Sequence, residues 1–106
     1  VDAHRLAERR SLAYHQVIAE RIERDPALLA RARARVSDWL AEGRSPHYAR
    51  AWHEVLSGPA DALARLLVAD TEHARALRQA TPFAGALDPR ERWRIWRHVA
   101  EQGDGR

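Results

Sequence analysis

The 106-residue sequence contains no cysteine, methionine, lysine or asparagine. Without cysteine there is no disulfide, no thiolate nucleophile and no Cys-based zinc or iron–sulfur site. Without lysine there is neither Schiff-base chemistry nor the lysine of a phosphate-binding P-loop. Apolar runs are short, far below the ~20 residues needed to cross a bilayer, so no membrane attachment by a spanning helix is expected. No segment alternates with period two, and β-branched residues are sparse, which excludes a sheet-based fold. The first twenty residues carry Arg5, Glu8, Arg9 and Arg10 within a periodic pattern, unlike a signal peptide; the expected compartment is the cytoplasm. The chain opens on Val1 rather than methionine, as expected of a processed piece with neighbouring segments elsewhere.

What is present describes a single globular domain: hydrophobic residues make up 45% and charged residues 31%, too apolar a balance for a disordered chain. All 18 bases are arginine, set against 15 acids, for a formal net charge of +3. The sequence pI of about 10.5 overstates this surplus, because guanidinium groups do not titrate in the working range. Three excess charges are few for a dedicated nucleic-acid binder. Arginine without lysine, alongside 21 alanines, also fits the codon usage of a GC-rich genome.

Punctuation by proline and glycine divides the chain into helices near 3–24, 26–42, 46–56, 60–68, 71–80 and 89–101. Asp25-Pro26, Ser45-Pro46 and Asp88-Pro89 each place an N-cap residue before a proline suited to the first helical position. Glu91, three residues after Asp88, completes a capping-box pattern. Gly43 and Gly58 stand where helices end in the left-handed conformation. Apolar stripes support each helix: Leu6, Ala13, Tyr14, Val17, Ile18 and Ile22 on the first; Leu29, Ala32, Val36, Trp39 and Leu40 on the second; Tyr48, Trp52, Val55 and Leu56 on the third. Leu63, Leu66 and Leu67 serve the fourth, Ala74 and Leu77 the fifth, and Trp93, Trp96 and Ala100 the last. The expected fold is an all-α bundle of five to six short helices with short connections, one domain over 1–101 and a frayed tail over 102–106. The loop containing Phe83 and Leu87 should be pinned beneath the last helix, since burying each side chain contributes roughly 1.5–3 kcal/mol.

Candidate reaction centres are few. The six histidines at 4, 15, 47, 53, 73 and 98 never pair at i, i+3 or i, i+4, and His4–Glu8 and Asp70–His73 each offer only two ligands, so no metal or other cofactor is expected. The acids mostly stand near arginines, as in Glu20/Arg24, Arg21/Asp25, Arg50/Glu54 and Asp61/Arg65, a pattern of solvated helix surface. Arg10 followed by His15 resembles the Arg–His motif of all-helical HEPN ribonucleases, as do Arg9 with His15 and Arg92 with His98. That resemblance implies a histidine acid or base with an arginine steadying phosphorane charge. With so many arginines, about three matches to so loose a motif arise by chance. The segment 36–56 has the outline of a helix-turn-helix, making a DNA-binding regulator an alternative. Its second helix nevertheless offers only His47, Arg50, His53 and Glu54 to a groove.

Two arginine stripes remain: Arg31 and Arg35 one turn apart, and Arg90, Arg94 and Arg97 on the last helix, opposite Trp93, Trp96 and Ala100. Tryptophan beside arginine is the composition of binding hot spots. In Arg92-Trp93-Arg94-Ile95-Trp96-Arg97 the apolar residues cover more than one face, and such a helix needs two neighbours. Arg90, Trp93, Arg94, Trp96, Arg97, Arg31 and Arg35 are therefore the expected partner-binding residues. Segments 8–15 (ERRSLAYH), 25–33 (DPALLARAR) and 76–85 (ALRQATPFAG) resemble small all-helical bacterial antitoxin-like proteins of toxin–antitoxin pairs. The resemblance implies a non-enzymatic protein that neutralises a protein partner by occluding its active site. A homodimer through the same apolar face is expected when that partner is absent.

Overall fold

A computed structural model describes residues 2–104. It contains six helices and, among the described residues, no strand: α1 (Ala3–Arg21), α2 (Pro26–Glu42), α3 (Pro46–Leu56), α4 (Ala60–Leu67), α5 (Glu72–Gln79) and α6 (Pro89–Asp104). The class expected from the sequence, a compact all-α bundle, is the class observed. α1 lies at its centre and packs on α4, α5 and α6, while α2 pairs mainly with α3. α6 has α1 as its principal neighbour. The two run antiparallel: Arg9 of α1 donates to the Val99 carbonyl of α6 at 3.1 Å, and Arg21 pairs with Glu91 at the opposite end.

The termini follow local chemistry, with some departures from expectation. α1 ends at Arg21 instead of residue 24, because the chain turns through 22–24 before Pro26. Asp2 caps α1 through the His4 N–H, and Thr71 caps α5 through the Ala74 N–H. Asp88 accepts from the Arg90 N–H at 2.8 Å. Neither Asp25 nor Ser45 makes the side-chain cap bond that its position suggested. Ser45 takes the left-handed conformation instead (φ 42°). Glu91 turns away from a capping box to the Arg21 guanidinium, a charged partner that the neighbouring helix supplies. Gly43 ends α2 in the left-handed region (φ 69°) as expected, but α3 ends on the right-handed Ser57, and the second left-handed glycine is Gly85 (φ 78°), not Gly58. α6 continues to Asp104, so residues 102–104 of the supposed tail are helical; 105 and 106 lie outside the described residues.

The core joins Tyr14, Ile18 and Ile22 of α1 to Leu28, Ala32 and Val36 of α2, Trp52 and Leu56 of α3, Leu63 and Leu67 of α4, and Leu77 of α5. On α2 it is Leu28 that is buried; Leu29 is half-buried and Leu40 exposed, because the helix turns its inner face one residue earlier than the stripe suggested. Trp52 is wholly buried and donates its indole N–H to the Leu77 carbonyl at 3.1 Å, joining α3 to α5. The loop 80–88 is pinned, chiefly against α1 and α3 rather than α6. Phe83 packs edge-on to Trp52 and His15, and the Tyr14 hydroxyl donates to the Phe83 carbonyl at 2.7 Å while accepting the Leu87 N–H at 3.3 Å.

Candidate functional site

Two features stand apart from the packed core, and both involve α6. The first is its outer face. At 100° per residue, Trp93, Arg97, Arg90 and Arg94 fall within one third of the helix circumference, whereas Ile95, Val99 and Trp96 point toward α1. Accordingly Val99 is buried, Ile95 and Trp96 are half-buried against the core, and Trp93 is 58% exposed. This corrects the expected grouping: Trp93 stands with the arginines, not with Trp96 on the inner side. Arg97 stacks over the Trp93 ring at 4.8 Å, which holds both side chains in a flat apolar and cationic surface. Arg90 and Arg94 extend it into solvent. Glu101, 3.9 Å from Arg97, is the acid beside this face.

The other predicted arginines are placed elsewhere. Arg35 donates to the Pro82 and Ala84 carbonyls, and with Arg31 it borders the 82–86 loop. The sequence brought Arg31 and Arg35 into one candidate set with α6; the fold leaves them on α2, beside the 82–86 loop. Trp96 is part of a different feature, the wall of a cavity.

That cavity, of about 380 Å³, opens between α1, the end of α5, the 80–88 loop and α6. Arg10, Arg78, Arg92, His15, Thr81 and Trp96 line it. Arg10 lies over the Trp96 ring at 5.8 Å, and Trp96 meets Tyr14 edge-on. Arg78 is buried to 6% exposure, its Nη1 donating to the carbonyls of Leu67 and Ala69 at 3.2 and 2.8 Å. Burial, reinforced by Arg75, holds its pKa below the ordinary arginine value, yet it stays cationic at neutral pH.

His15 is committed on both ring nitrogens. Nδ1–H donates to the Ser11 carbonyl at 2.7 Å, since a carbonyl can only accept; Nε2 therefore carries the lone pair and accepts from the Thr81 hydroxyl at 2.9 Å. Thr81 Oγ1 in turn accepts the Phe83 N–H at 3.0 Å. Burial lowers the His15 pKa to about 4, with Arg78 adding to the effect and the Ser11 bond opposing it. The imidazole is thus neutral at pH 7 and its basic nitrogen is occupied by the loop it anchors. In the Arg10–His15 pairing, the geometry gives His15 a structural task.

Of the remaining pairs, His4–Glu8 and Asp61–Arg65 form at 3.2 Å, while Asp70 pairs with Arg75 rather than approaching His73 as a ligand would. No group of three or more metal-ligating side chains occurs among the described residues. No helix among them is long and apolar enough to cross a membrane. The α3 side chains His47, Arg50, His53 and Glu54 are all exposed, leaving one permanent positive and one negative charge on the would-be recognition surface. The comparisons with protein-family models, curated proteins and solved structures return no match for the chain.

Proposed function

We propose that this protein is a non-enzymatic, cytoplasmic binding module, antitoxin-like in action, that docks the outer face of α6 on an acidic surface of another bacterial protein and occludes it. The observation that carries the docking surface is Trp93, a large aromatic exposed to 58% and held by Arg97 on a helix with one principal neighbour. An exposed tryptophan framed by Arg90, Arg94 and Arg97 has the makeup of a hot spot, and three cations beside one acid favour an acidic partner. A second copy on the same face would bring arginines against arginines, so a heterologous acidic partner is the better complement. The neutralising role rests on the antitoxin-like segments, and the lack of a basic α3 surface argues against the DNA-binding alternative.

The test is co-expression with the product of the adjacent gene. Relief of growth arrest by the wild-type chain, lost in the Trp93→Ala/Arg94→Glu double variant with its helical circular dichroism intact, supports the reading. Equal relief by both proteins overturns it. So does retardation of the gene's own promoter fragment, weakening steeply with salt, in the absence of any protein complex.

A further inference from the structure

The cavity between α1, α5 and α6 gathers three arginines, where the 82–86 loop pocket beside α2 holds two. The three are Arg10, Arg78 and Arg92, and no acidic residue lines the cavity. None of the three forms an ion pair among the described residues. Of the two acids whose charge reaches Arg78, Asp70 pairs with Arg75, while Glu8, in contact with His4, lines the adjoining pocket between α1 and α5 without forming an ion pair with Arg78. A buried arginine ordinarily has an anionic partner, because removing its charge from water is costly. Here Nη1 of Arg78 is occupied by two backbone carbonyls, whereas Nε and Nη2 donate to no protein atom among the described residues and are not sealed from solvent. Arg10 shows a similar lack, its Nε buried without an acceptor. The side chain of Arg78 is thus fixed in place with part of its donor fork unspent, at the junction of this cavity with the pocket beside Glu8.

We infer that this cavity is a binding site for an organic phosphomonoester, its phosphate held by Arg10, Arg78 and Arg92 and its organic group lying against Trp96. A carboxylate would balance one of three cations. A phosphomonoester brings close to two negative charges and three terminal oxygens, each able to accept from a guanidinium fork. The volume of about 380 Å³ exceeds what an inorganic ion fills and falls at the small end of ordinary ligand cavities. Trp96, half-buried and already stacked by Arg10, supplies the apolar surface for the remainder. His15 adds no fourth cation, since burial keeps its imidazole neutral at pH 7. The site is separate from the outer face of α6, so it stands or falls independently of the docking proposal.

Calorimetric titration of the full chain with adenosine 5′-monophosphate, inorganic phosphate, adenosine and succinate tests the assignment, with indole N–H resonances reporting on Trp96. Adenosine monophosphate is expected to bind at least about tenfold more tightly than inorganic phosphate, and to shift the Trp96 signal, while adenosine and succinate show no binding. Arg92→Gln and Arg10→Gln, at positions outside the closed core, should each weaken it about tenfold or more, the loss expected for one charge-assisted contact. Arg78→Gln should abolish it; if that variant does not fold, the other two decide. Failure of adenosine monophosphate to bind at millimolar concentration, equal binding of succinate or adenosine, equal binding of inorganic phosphate, or undiminished binding by both variants overturns the inference.

Discussion

Acidification should unfold this protein earlier than its charge balance implies, and His15 is the reason. In the unfolded chain its imidazole titrates near the ordinary 6.5, whereas in the fold its pKa is about 4. Between these values the unfolded state binds a proton that the native state refuses, so stability is complete above pH 6.5 and is lost as pH falls toward 4. At about 1.4 kcal/mol per unit, the full loss is roughly 3 kcal/mol, of which about 2 is felt by pH 5. The molecular event is a charge taken into the interior: the protonated imidazole is shut away from water and stands near the Arg78 guanidinium, while the Thr81 hydroxyl need only rotate its hydrogen to accept from Nε2–H. Urea unfolding at pH 7.5, 6.5, 5.5 and 5.0, extrapolated linearly to water, measures the effect. His15→Gln keeps a donor and an acceptor but does not titrate. It should be less stable than wild type at pH 7.5 and should lose about 2 kcal/mol less between pH 7.5 and 5.0. The carboxylates titrate in both proteins and cancel in the comparison. Parallel loss in the two proteins would refute the reasoning.

Three further predictions concern the frame around the two sites. Trp52→Ala should cost about 3–5 kcal/mol in urea unfolding, whereas Trp93→Ala should stay within about 0.5 kcal/mol, because one ring is wholly buried and the other 58% exposed. Tyr14→Phe should cost about 1–3 kcal/mol and speed amide exchange at Leu87, as it leaves the Phe83 carbonyl and the Leu87 N–H without their shared partner. Gly43→Ala should cost about 1–2 kcal/mol for its left-handed backbone, while Gly58→Ala, whose added Cβ would meet the Val55 carbonyl at an ordinary 3.5 Å, should change the same unfolding midpoint little.

Helix number and order were legible in the sequence because proline, glycine and apolar period marked the same boundaries. Single residues failed where two neighbours competed for them. Glu91 had the spacing of a capping box but went to Arg21, a partner that only the antiparallel packing of α1 on α6 reveals. Trp93 and Trp96 are three apart and so count as neighbours on a helix, yet they straddle the edge between covered and uncovered faces. The arginine cavity was not legible as a unit. Positions 10, 78 and 92 come together through tertiary structure, and Arg78, flanked by Leu77 and Gln79, carries no local sign of burial. His15 gave a better hint: it stands beside Tyr14 and three residues before Ile18, on the stripe that faces the core.

A binding role for this protein requires that α6 present its outer face to a protein. Titration of the adjacent gene's product into wild-type, Trp93→Ala/Arg94→Glu and control Arg50→Glu proteins tests this directly. A loss of affinity of about thirtyfold or more in the α6 variant, consistent with at least 2 kcal/mol at a hot-spot tryptophan, is predicted alongside an unchanged control. Wild-type affinity in the α6 variant, or a loss confined to Arg50→Glu, would contradict it.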